Sequence, residues 1–280
     1  MATPLFLGPE DLKNLHRHYI NLTCVDSGEP AKASNGGLPV RYNFSAFVVE
    51  VEGVHLAITA GHVFEDLKQA QAAGAILSNW AIDDSMVRDH GLPVYPIDLD
   101  MNKNIFFYHK GGVDFGVYVL SDLASSALAM HGIVPIRQEH WDAQDLEEFP
   151  FWTLVGQPTG FATLRPDGTS SKCHVTVQLT PLAQRPEGLQ PTQYPRLFAR
   201  IEFASVAQHE QRFDIGGMSG GPVFATRQPP QGSAYEYRLI GIQSAWDQRK
   251  NVAVCEVRPL LRALALVMQA RPQFEGAAVL

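Results

Sequence analysis

Gly216-Gly217-Met218-Ser219-Gly220-Gly221-Pro222 decides how this chain is read. One serine stands between two pairs of glycines and runs into the apolar pair Val223-Phe224. Glycine adopts φ > 0 freely and lets another group approach the main chain, so the stretch describes a tight bend with a hydroxyl on it. Amides around such a serine can converge on one point, as a developing oxyanion requires. A Gly-rich turn before a strand has the same composition, so the stretch draws its weight from its company. That company is Thr59-Ala60-Gly61-His62 and Val113-Asp114-Phe115, both upstream.

A serine hydroxyl is a poor nucleophile until a neighbouring base takes its proton. Histidine suits that task because its pKa lies near neutrality. A carboxylate then fixes the imidazole tautomer and stabilises the imidazolium that forms. The chain offers one candidate for each role, in the order His62, Asp114, Ser219. Of the three known orders for such a triad, this is the chymotrypsin one.

The 280 residues suffice for one large domain or two lobes, and 45% hydrophobic with 18% charged content describes a packed globular chain. The net charge of -7 is spread along the sequence without a basic stripe, which argues against nucleic acid as a partner. Cys24, Cys173 and Cys255 are too widely spaced for a disulfide framework or a close-set zinc site, so they are expected as reduced, buried side chains. The histidines show no metal-ligand spacing, and no metal or cofactor is expected. The start has no basic n-region and no segment reaches membrane-spanning length, so a cytoplasmic protein without a membrane partner is expected.

Along the chain, residues 8–20 carry a helix signal, with Pro9 and Glu10 opening it and Leu12, Leu15 and Tyr19 at helical spacing. Phe47–Val51 and His55–Thr59 read as a hairpin about Glu52-Gly53, Glu65–Ala73 as a short helix, and Ile105–His109 and Val113–Leu120 as strands. Residues 121–150 read as a connection. A second β-rich half follows, with strands at 152–156, 173–179, 197–204, 221–226, 237–243 and 252–257. A last helix opens at Pro259 and is expected to dock on the second half. The sum is an all-β protein of two six-stranded antiparallel barrels with a helix at each end. The expected divisions are a helical extension over 1–35, a first barrel over 36–135, a second over 150–257, and a terminal helix and tail over 258–280.

These motifs resemble the chymotrypsin-like serine proteases. Ile58-Thr59-Ala60-Gly61-His62-Val63 is similar to the family's histidine motif, with glycine where many members have a second alanine. Val113–Leu120 looks like the aspartate strand, Gly217–Pro222 the nucleophile loop, and Leu239–Ser244 the substrate-binding strand behind it. The likeness spans roughly residues 40–270 and is strong at these four places. It implies His62 as general base, Asp114 as its orienting acid, Ser219 as nucleophile, and the amides of Gly217 and Ser219 as oxyanion hole. It also implies a specificity pocket near Phe213, Asp214, Ser244, Ala245, Trp246 and Val252.

Met218 departs from the many secreted relatives that carry aspartate there to pair with a freshly cut N-terminus. Activation by such processing is therefore not expected, as in the bacterial and cytosolic branches of the family. Trp246 and Val252 stand about where many relatives keep glycines, and Asp214 would attract a cation, so a small or basic residue is expected at the cleaved position. The activity implied is a serine endopeptidase acting on proteins or peptides, with a regulatory protein partner as a further expectation. A catalytically silent binding module and an esterase using the same triad are the alternatives.

Overall fold

Tyr19–Asp26 shows how this chain makes a sheet from a sequence that hides it. Seven of its eight residues are buried, including Asn21, Thr23 and Asp26. Those polar residues are satisfied inside: Asn21 Nδ2 donates to Gln157 Oε1 at 2.8 Å, and Asp26 Oδ1 accepts from the amides of Gly28 and Ile76. A buried polar group is tolerated when it is hydrogen-bonded. The computed structural model describes residues 7–84, 95–101, 104–142, 146–159, 163–164, 170–171, 175–202, 214–228 and 235–270.

The first half is an antiparallel sheet of seven strands: β1 (Tyr19–Asp26), β2 (Val40–Val51), β3 (Val54–Thr59), β4 (Leu77–Asp83), β5 (Tyr95–Pro96), β6 (Ile105–Lys110) and β7 (Val113–Val119). Their order is β5-β4-β1-β2-β3-β7-β6, six substantial strands and one of two residues. In the second half, β8 (Phe151–Gly156) precedes a two-stranded ribbon of β9 (Thr163–Leu164) and β10 (Ser170–Ser171). Then come β11 (Val175–Leu182), β12 (Leu197–Ile201), β13 (Pro222–Arg227), β14 (Glu236–Trp246) and β15 (Asn251–Glu256). These close a six-stranded antiparallel barrel in the order β11-β12-β15-β14-β13-β8. The mostly-β, two-barrel architecture is the expected one.

Among the described residues six α-helices flank the sheets: α1 (Pro9–His16), α2 (Glu29–Ser34), α3 (Gly61–Ala72), α4 (Asp122–Met130), α5 (Gln138–Trp141) and α6 (Arg258–Ala270). The expected boundary at residue 35 is corrected, because β1 already lies between β2 and β4 inside the first sheet. Residues 121–150 hold α4 and α5, with Ser121 Oγ capping α4 through the Ala124 amide. The terminal helix also departs from expectation. Leu260, Leu261 and Ala265 of α6 join the first sheet's core, and the helix packs against β2. That core also takes Phe224, Leu239 and Ile242, while a second core inside the closed barrel holds Leu154, Met218, Val223 and Val252.

Candidate active site

His62 sits in the first turn of α3, and the helix starts there for a tertiary reason. Ala60 occupies the N-cap position and offers no side-chain acceptor. The acceptor comes from β7: Asp114 Oδ1 takes the His62 main-chain N–H at 2.9 Å, and Asp114 Oδ2 lies 2.8 Å from His62 Nδ1. One carboxylate thus caps the helix and orients the imidazole, favoured by the positive end of the helix dipole. Gly61 permits this approach, since a Cβ there would overlap the carbonyl oxygens of Tyr108 and Phe115.

The electrostatics follow from this geometry. Burial of Asp114 favours its neutral form, but the hydrogen bonds and charge of His62, with His109 nearby, hold its pKa below the ordinary 3.8. Burial of His62 disfavours its cation, yet the Asp114 bond and charge, with Asp66 adding, lift its pKa above 6.5 against a smaller opposing push from Arg196. The Asp114 N–H in turn donates to Cys255 Sγ at 3.4 Å.

The loop around Ser219 is a hydrogen-bonded bend with two amides left over. Gly216 N donates to Asp214 Oδ1, Met218 N to Ile215 O, Gly220 N to Gln243 O, and Gly221 N to Met218 O. Among the described residues, the N–H groups of Gly217 and Ser219 have no partner. The carbonyls of the same two peptides are tied back, Gly216 O by Thr159 N at 2.7 Å and Met218 O by Gly221 N at 2.8 Å. Gly217 and Ser219 both line one cleft. Gly217 needs its φ of +89° and its lack of a Cβ, because a Cβ would overlap Thr159 Oγ1.

A buried polar network joins the two halves behind this loop. Ser45 Oγ donates to Gly217 O at 3.1 Å and accepts from Gln157 N at 3.2 Å. The Tyr19 hydroxyl lies 3.0 Å from Ser45 Oγ and 2.6 Å from Asn21 Oδ1, and Asn21 returns to Gln157. Met218 is fully buried in the second core and packs on Gly156, where a Cβ would come within 3.0 Å of its side chain.

The structure brings His62, Asp114, Ser219 and Gly217 into one region between the sheets. Ser219 Oγ makes no hydrogen bond among the described residues, His62 included. Phe213 lies outside the described residues. Asp214 is exposed at the start of the loop, its carboxylate turned back onto Gly216 N. Ser244, Ala245 and Trp246 end β14 at a bulge, Trp246 pairs with Val252, and Val252 is fully buried in the barrel core.

His109 is opposite Asp114 in the ladder, its ring centroid 5.5 Å from that of His62. Ligand atoms of His62, His109 and Asp114 lie within 4.8 Å of one another. Tetrahedral zinc with nitrogen and oxygen ligands needs them about 3.3 Å apart. Both Asp114 oxygens already serve His62, so a cation would have to break that pairing. Ser45, Thr159, Gln157, Cys255 and His109 were beyond sequence reasoning, because isolated polar residues in strands and loops carry no spacing signal.

No family model and no curated protein matches the chain. Among solved structures it is similar to the thermostable serine protease AL20 from an extremophilic microorganism, at 13% identity over 87% of this chain and 92% of that one, with a TM-score of 0.45. It is also similar to the protease Anisep from Arthrobacter nicotinovorans, at 15% identity over 86% and 90%, with a TM-score of 0.44. An inactive mutant of the murine norovirus NS6 protease is 12% identical over 76% and 85%, with a TM-score of 0.37. At these identities and scores the description of the fold rests on this chain's own strand order and pairing.

Proposed function

We propose that the protein is a serine endopeptidase. The observation that carries this reading is the pair of unpartnered amides at Gly217 and Ser219, two residues of one cleft wall, together with the oriented His62–Asp114 pair. In this reading His62 takes the Ser219 proton as Oγ attacks a peptide carbonyl. The oxyanion is received by the two N–H groups, and Asp114 stabilises the imidazolium. His62 then gives the proton to the leaving nitrogen as the C–N bond breaks, and water activated by His62 releases the acyl group.

Substrate main chain would pair with β14 at Ser244–Trp246. The exposed Asp214 suits a basic residue at the cleaved position, whereas Val252 is buried in the barrel core and cannot narrow a pocket; a peptide-library profile dominated by acidic or large aromatic residues would contradict that preference. Met218, buried and uncharged, suits a loop set by packing without a new N-terminus. Cys24 and Cys255 are free thiols, which suits a reducing, cytoplasmic setting, and no described helix is long and apolar enough to cross a membrane. The missing hydrogen bond between Ser219 and His62 is the one observation that suits a silent binding module, although catalytic hydrogen bonds often tighten only with substrate bound. A fluorophosphonate probe decides between them: it should label the wild-type chain and not Ser219→Ala, whereas a chain that stays unlabelled is a scaffold.

A further inference from the structure

Beside Ser219 a cleft of about 330 Å³ opens between the two halves. β2 walls it from Arg41 to Phe44, and Thr159, Gly217 and Ser219 wall it opposite, with Val63 of α3 also lining it. No residue of β14 takes part. The acyl half of a substrate is assigned above to β14, so this cleft is on the other side of the nucleophile. It also runs past the residue that follows His62, the group that must protonate the departing nitrogen. Its volume is at the lower end of small-ligand pockets, about 300–1,000 Å³, so it takes a short piece of chain and not a folded surface.

Among the described residues, Arg41 is the one charged residue in the lining. Arg41 is exposed, and among the described residues its guanidinium forms no ion pair or hydrogen bond, while the other described lining groups are aromatic, amide, hydroxyl and apolar. Asn43 Oδ1, in the same wall, is buried without a hydrogen-bond partner. Such an atom is costly unless a partner arrives, and a main-chain N–H on a bound segment would supply one. A cation that presents a planar fork of donors beside an unsatisfied acceptor matches a peptide segment carrying a carboxylate.

We propose that this cleft receives the leaving half of the substrate and that Arg41 selects a carboxylate on it. The inference rests on the acyl-transfer reading above. Two sources share this chemistry, an Asp or Glu side chain and a nearby C-terminal carboxylate. Peptides with one acyl half separate them when their leaving halves are varied. One set is amidated and carries Ala, Asp or Lys at each leaving position; the other is neutral and ends in a free carboxylate or an amide. Full-length protein should cleave a carboxylate-bearing set with kcat/KM raised about fivefold, as for one solvent-exposed ion pair, and added salt should shrink the preference. Arg41→Gln should erase the preference and Arg41→Glu should turn it toward Lys. A wild-type profile without a carboxylate preference, or a preference that survives in Arg41→Gln, overturns the inference. If the fluorophosphonate probe labels Ser219 while that profile is flat, only this inference fails; if there is neither labelling nor cleavage, the acyl-transfer reading fails with it.

Discussion

Gly220 of the second barrel rests directly on Thr59 of the first: a Cβ at Gly220 would overlap Thr59 Oγ1 and the carbonyl oxygen of Ser45, and would lie 2.9 Å from Ala60 N. The residue after Ser219 is thereby pressed against the strand end that leads into His62. Its φ of +89° adds a second reason for glycine. Gly220→Ala is expected to push the two halves apart at this point. Turnover should fall by at least about a hundredfold, since a misplacement near 1 Å costs that much. Measuring kcat together with the far-ultraviolet spectrum checks it, because a lost rate in a folded protein isolates the displacement.

Gly61→Ala makes a sharper test of close approach. Gly61 opens α3 with ordinary φ, so on helix propensity alone alanine there gains at most about 1 kcal/mol. The Tyr108 and Phe115 carbonyls leave no room for its Cβ. Overpacking of this kind costs about 1–3 kcal/mol, so the net expectation is a lower melting temperature and a disturbed His62–Asp114 bond. Unchanged or raised stability in thermal denaturation would show that β6 and β7 yield more easily than described.

Activity should depend on pH through His62. Its pKa is raised, so the neutral base form is gained only as pH climbs through a value above 6.5. The acid limb of kcat/KM is therefore expected above pH 6.5. Asp114→Asn should move that limb downward and lower kcat by about 10⁴-fold, the cost of a wrong imidazole tautomer. Stability follows the same pair with opposite signs. Protonated His62 contributes below pH 6.5, and that contribution is lost as pH rises through its folded value. Ionised Asp114 contributes above pH 3.8, and that is lost as pH falls through its lower folded value. Melting temperatures of wild type and Asp114→Asn across pH 3–9 check both directions.

Ser45 joins the network behind the free amides of Gly217 and Ser219. Ser45→Ala leaves Gly217 O and the buried Gln157 N–H without this partner, at a cost of about 1–3 kcal/mol. Because Gly217 carries one of the two free amides, kcat is expected to fall more than KM changes. Steady-state kinetics on a peptide ester beside a melting curve separates this from simple destabilisation.

What was legible in the sequence follows from how each feature is encoded. His62, Asp114 and Ser219 could be read because each stands in a local motif with a fixed neighbour pattern, and the 47–51 end of β2, with β3, β7 and β13–β15, because each carries a short run rich in apolar and β-branched residues. β1 was not legible, since its buried Asn21, Thr23 and Asp26 are stabilised by partners far away in sequence. The start of α3 was missed because its cap is Asp114, on another strand. The seat of α6 on the first sheet was missed as well, because an apolar helix face does not name the surface that covers it. The network of Tyr19, Asn21, Ser45 and Gln157 exists only once the halves meet.

The central claim is that Ser219 becomes acylated. Mixing the protein with a nitrophenyl ester and following product release in the first turnover, with peptide mapping of the acid-quenched mixture, tests it most directly. The account predicts a burst of one equivalent of nitrophenolate, an acyl mass added at Ser219, and neither in Ser219→Ala. Turnover without a burst, or an acyl group mapped to another residue, would contradict it.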